Sequence, residues 1–170
     1  MPPTCPNLPY YSLVHSHLNF GACVWGNADE IHLNKIRVLQ KKVIRTISNA
    51  DFNDHSSPLF KNLNILKFDD LLKMQYACLM WEYEHGNLPI CFKQYFTKVS
   101  DIHNYETRNA TAGKLSENIK VNTSTHGLTM FKFWGPKVLN AIKDIPFYND
   151  AKTLHYFRHN YKQYLIDLYT

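Results

Sequence analysis

Glycine is scarce in this chain. Six glycines in 170 residues leave no Gly-rich stretch able to cradle a phosphate, and no Gly-x-Ser-x-Gly elbow is present. Charge is thin as well: charged residues make up 19 %, and residues 1–28 hold no Asp, Glu, Lys or Arg. That uncharged opening carries several prolines and then His15, His17 and Asn19, which is too polar for a membrane span. It reads instead as a helix buried on most sides by protein, and no membrane partner is expected. The cysteines Cys5, Cys23, Cys78 and Cys91 form no Cys-x-x-Cys pair, and no basic segment followed by an apolar one opens the chain. The expectation is reduced thiols in an intracellular protein of cytoplasm or nucleus. The triplets Asn109-Ala-Thr111 and Asn122-Thr-Ser124 match the glycosylation pattern by chance in such a protein.

What is present favours a folded, mainly α chain. Hydrophobic residues reach 45 %, the reverse of the balance that keeps chains disordered. The spacing predicts helices over residues 10–25, 29–48, 58–63, 69–85, 136–143 and 150–169, with one more short helix within 88–97. In the second, Leu33, Ile36, Leu39, Val43 and Ile47 repeat at three and four, and Asp29 and Glu30 suit its first turn. Ser57 is placed to cap the third, with Pro58 at its first position, and Asp69 or Asp70 to cap the fourth, which Gly86 ends. Residues 100–127 are rich in Asn, Thr and Ser and read as a long polar loop. The fold class is therefore an irregular helical bundle with a long polar loop and room for one short β-hairpin. The composition shift near residue 100 suggests two units, a helical one over 1–99 and a tail unit over 100–170.

No catalytic constellation emerges. Phe68-Asp69-Asp70 lacks the residue that separates the aromatic from the first Asp in the metal-binding turn of polymerases, and a helical run follows it. Helix capping accounts for those aspartates better. His15 and His17 point about 200° apart on a helix. His155 and His159 share a face, but Tyr156 follows the first of them and no third ligand is near. No metal, cofactor or catalytic residue is expected.

One pattern does point to a ligand. Lys35, Arg37, Lys41, Lys42 and Arg45 cover a band of roughly 160° on the second helix, opposite Ile36 and Val43. No acid interrupts the band after Glu30, whereas a plain solvated face mixes signs. With a net charge of +5 and a pI near 9.0, such a face suits phosphate, and Lys61 and Lys67 could extend it.

The order of motifs adds a resemblance. His15-Ser-His17-Leu18-Asn-Phe20-Gly21-Ala-Cys-Val-Trp25-Gly26 is followed by Leu39-Gln40-Lys41-Lys42-Val43-Ile44-Arg45, by the segment from Pro58 to Leu66, and by Asp70 to Gln75. Tyr105-Glu-Thr107-Arg108 and Phe133-Trp134-Gly135-Pro136-Lys137-Val-Leu139-Asn140 come later, with Leu139 where the pattern usually has Trp. This series resembles the C-terminal part of reverse transcriptases from LINE-type (non-LTR) retrotransposons of the jockey and chicken-repeat groups. The resemblance implies a thumb that grips the template–primer duplex and a tail behind it, binding RNA or an RNA–DNA hybrid. The fingers, palm and endonuclease of such proteins are absent here, as is the zinc knuckle of some groups. On this reading the chain is no enzyme in isolation, and the fingers and palm of a parent protein would be its natural neighbours. The alternative is a helical protein-interaction module with no nucleic-acid role.

Overall fold

The computed structural model describes residues 8–92, 94–102, 105–117 and 131–169. Among these the structure is mainly α-helical without a strand. Where a hairpin had room to form, an isolated antiparallel bridge joins Lys98 and Leu115. The longer helices are α1 (Glu30–Ser48), α2 (Ser56–Asn62), α3 (Phe68–Glu84), α4 (Phe131–Lys143) and α5 (Leu154–Asp167).

The chain packs as two compact units. One takes in the chain up to Gln75 and again from His159, and the other is Tyr76–Arg158. This division differs from one near residue 99. The polar composition beginning near residue 100 marks a segment inside the second unit, while α3 and α5 each contribute to both.

In the first unit, the expected helix over 10–25 is broken. A short helix at Leu8–Tyr10 leads into a π-helical turn (Tyr11–His15) and then Ser16–Asn19, and the chain restarts at Ala22–Trp25. Gly21 causes the break: it takes φ 62°, a left-handed conformation that L side chains avoid. The turn is closed by the Trp25 indole donating to the Phe20 carbonyl at 2.6 Å. Trp25 then stacks on Phe68, with centroids 5.7 Å apart, in a cluster with buried Ala22, Leu33 and Leu72. Gly26 lets the chain pass Leu72, whose Cδ2 would sit 2.6 Å from an added Cβ.

Gln40 of α1 organises this unit. Its side chain is buried, with Nε2 donating to the Tyr10 hydroxyl (2.8 Å) and the Leu66 carbonyl (3.0 Å). Its Oε1 accepts from the Phe68 amide at 2.8 Å. That amide belongs to the first turn of α3, whose N–H groups have no partner within the helix. A side chain from another helix therefore satisfies the end of α3, where Asp69 or Asp70 was expected to cap it. The same contact turns α1. Its buried positions are Leu33, Gln40 and Ile44, while Leu39 is 60 % exposed. The packed face is rotated by roughly 70° from the apolar stripe read in the sequence. In α2 the cap position falls at His55, with Pro58 in the third helical position, so Ser57 is helical and not the cap.

In the second unit Phe96, Leu115, Leu139 and Ile142 are buried. The expected helix over 88–97 shrinks to a 3-10 turn at Ile90–Phe92. Phe131 packs against Phe96 (5.5 Å) and stacks on Tyr76 (6.0 Å), so α4 begins five residues before the expected Pro136. The buried Asn140 amide holds both backbone groups of Leu115 at 2.9 Å. The polar stretch contains a helical turn, Arg108–Thr111, capped by the Thr107 hydroxyl accepting from the Ala110 amide. The remainder of that expected loop, 118–127, lies outside the described residues.

Burial of the hydroxyl Gln40 grips has a measurable consequence. Tyr10 is 1 % exposed, and loss of solvent pushes its pKa up to about 12. Burial likewise raises Tyr148 and Tyr169. A raised acid pKa means that the unfolded tyrosine ionises first, so the stabilisation is complete below pH 10 and is lost as pH rises towards 12. Urea unfolding followed between pH 8 and 12 is expected to fall steeply above pH 10, with Tyr10 contributing about 2–3 kcal/mol. Tyr10→Phe is expected to be less stable at pH 8 and to show a shallower alkaline decline.

Candidate nucleic-acid interface

Helix α1 carries all five basic residues of the band, and the structure divides them. Lys35, Lys41 and Lys42 are exposed, and no ion pair joins them to a carboxylate among the described residues. Arg37 is different. Its Nε lies 2.9 and 3.0 Å from the two Asp69 oxygens, its Nη2 lies 2.8 Å from Asp69 Oδ1, and its Nη1 bonds Glu30. The guanidinium also sits 5.9 Å from the Phe68 ring centre. These hydrogen bonds, to Asp69 and then Glu30, raise its pKa further above the ordinary value. Arg45 is half-buried and donates to the Asp54 carbonyl from Nε (3.1 Å) and Nη2 (2.9 Å), with Phe52 beneath it. A carbonyl does not cancel its charge, so Arg45 remains a cation held in place by the loop after α1.

The rotation of α1 explains the division. With Leu33, Gln40 and Ile44 packed inward, Arg37 falls at the edge of the buried face, where α3 begins and presents Asp69. Lys35, Val38, Lys42 and Arg45 lie on the far side. Lys41 lies beside Arg37 on the same edge of the row and lines with it a cavity of about 170 Å³, together with Gln40, Ser56, Ser57, Lys67 and Asp69. Lys61, by contrast, donates to the Tyr169 carbonyl at 2.9 Å.

The acidic candidates are also placed. Asp69 faces Arg37, whereas Asp70 accepts from the Tyr169 hydroxyl (2.9 Å) and pairs with Lys73 (2.9 Å). The two adjacent carboxylates serve separate partners. Among the described residues no group of three His, Cys, Asp or Glu could hold a metal ion, and no helix is long and apolar enough to cross a membrane. Cys78 is buried, and burial raises its pKa against the opposing effect of Arg158.

The chain matches "RNA-directed DNA polymerase from mobile element jockey" of Drosophila melanogaster at 38 % identity over 64 residues. The match takes in 38 % of this chain and spans 7 % of the length of that polymerase. No protein-family model matches the chain. No solved structure matches it significantly.

The arginine and the lysines are expected to separate in a stability experiment. Arg37→Ala strands Asp69 and Glu30, which are partly solvated, and should lower urea stability by about 1 kcal/mol, less at high salt. Lys35→Ala and Lys42→Ala should each stay within about 0.5 kcal/mol of the wild type.

Proposed function

We propose that the chain is a non-catalytic C-terminal piece of a non-LTR retrotransposon reverse transcriptase, comprising thumb and tail. Its role is to hold template–primer or element RNA through the basic face of α1. The observation that carries this reading is the exposed row of Lys35, Lys41 and Lys42, flanked by the fixed cation Arg45, with no carboxylate paired to any of the four among the described residues. Such a row suits backbone phosphate, which is read by charge and position and not by sequence. Arg37 contributes at the edge, through a guanidinium whose geometry two carboxylates already fix. The likeness to a mobile-element polymerase supports the same reading, since a polymerase grips a duplex. The share of that polymerase matched is small, so catalysis is assigned to parts of a parent protein that this chain does not contain. The fingers and palm of that parent are the protein partners proposed.

A second reading is favoured by an apolar trough of about 200 Å³ in the same unit, lined by Leu13, Val14, Leu18, Ile36, Leu39 and Val43. Leu13 is 69 % exposed and Leu39 60 %, which suits a protein-binding module. Self-association at high concentration, relieved by Leu13→Asp or Leu39→Asp, is its expected outcome in sedimentation. A monodisperse wild type that binds no apolar dye would sink it.

The nucleic-acid reading is tested by titrating a labelled RNA–DNA hybrid at several salt concentrations. With three or four phosphates neutralised, the log–log salt slope is expected to be roughly −3 to −4. Lys41→Ala with Lys42→Ala should reduce it by about two and weaken all sequences alike. Equal slopes for the double variant and wild type would reduce the row to a solvated surface.

A further inference from the structure

The cavity beside Lys41 differs in kind from the open row of lysines. It is lined by the buried Gln40, Phe60 and Phe68, by the cations Arg37, Lys41 and Lys67, by Ser56 and Ser57, and by one acid, Asp69. Lys67 is held in place: its Nζ lies 3.0 Å from Ser57 Oγ and 4.3 Å from the Tyr169 ring centre. No carboxylate among the described residues pairs with Lys67 or Lys41. Ser56 Oγ makes no hydrogen bond among the described residues. The result is a recess of about 170 Å³, several times the space of one water, with two ammonium groups that pair with no carboxylate among the described residues and a hydroxyl donor.

We propose that this recess seats one phosphodiester of a nucleic-acid strand. The proposal rests on the nucleic-acid reading above and gives it a fixed register point. The choice of a diester follows from charge. Arg37, Lys41 and Lys67 supply three positive charges, and Asp69 and Glu30 remove two through Arg37, leaving one to meet a singly charged phosphodiester. A doubly charged phosphate end would leave excess negative charge beside the Asp69 carboxylate, which lines the same recess. Lys41 and Lys67 meet the phosphate oxygens, the Ser56 hydroxyl donates to one of them, and Arg37, fixed by its carboxylates, closes the remaining side.

Two variants probe the seat. Lys67→Gln removes a charge but also alters the contact with Tyr169. Ser56→Asp changes a side chain that bonds to nothing described and adds repulsion, and circular dichroism checks that both variants fold. In the hybrid titration each is expected to lower the salt slope by about 0.9, one phosphate's share. An unchanged slope in both, while the Lys41/Lys42 variant still loses its two, overturns the seat and leaves the row standing. The chain is also titrated with a thymidine dinucleotide, which has one phosphodiester, and with thymidine 5′-monophosphate, following backbone amide shifts. Saturable shifts at Ser56, Ser57 and Lys41 with the dinucleotide, lost in both variants, are expected. If these appear while no hybrid binds, the seat stands and the reading based on the row falls. No dinucleotide shifts, or tighter binding of the monophosphate, overturns the assignment.

Discussion

The buried amide of Gln40 is the constraint on which the first unit depends. One side chain joins the Tyr10 hydroxyl, the Leu66 carbonyl and the Phe68 amide, so three stretches of chain meet on it. Each of those partners would otherwise be a buried polar group costing about 1–3 kcal/mol if left unmatched. A polar residue in a core specifies orientation in a way that another leucine would not, because only one rotation of α1 satisfies all three bonds. That rotation sends Lys35, Lys42 and Arg45 outward and brings Arg37 to Asp69.

What the sequence conveyed follows the strength of its periodic signals. The long helices over 29–48 and 69–85 were legible because their apolar repeats and the stop at Gly86 agree with each other. The direction in which the first of them packs was not. A reading by hydrophobicity centres the buried face on Ile36 and Val43 and excludes Gln40, which is buried with Leu33 and Ile44. The same blindness hid the break at Gly21, since the run around it is apolar on both sides and only its left-handed backbone reveals a turn. Motif order contributed differently. Trp25, Gly26 and Asn140, which have no chemistry of their own, each prove to hold backbone or core in place.

The band of five cations was legible as a band, but its electrostatic state was not. Linear spacing cannot distinguish a lysine that faces solvent from an arginine clasped by a carboxylate arriving from 32 residues away. Asp69 was noticed for a different reason, as a helix cap, and its connection to Arg37 needed the fold. Lys67 was visible only as a possible extension of the row. Its importance comes from Ser57 and Tyr169, one ten residues before it and the other near the end of the chain.

Helix α1 thus has three sides with separate duties. Leu33, Gln40 and Ile44 bury one; Lys35, Lys42 and Arg45 occupy another; Ile36, Leu39 and Val43 border the apolar trough on the third. Because the charged and apolar sides do not overlap, a nucleic acid and a protein surface could engage this helix at the same time. The phosphate contact and the protein contact proposed above would then use different sides of one helix. Phosphate neutralisation responds to salt, whereas apolar burial is almost indifferent to it, so each contact can be tuned without disturbing the other. On the reading proposed above both contacts have a use, one to keep the segment on its own protein and the other to release and regrip a duplex. The physical basis for that separation is again Gln40: a different rotation of α1 would mix the lysines with the trough and leave neither face continuous.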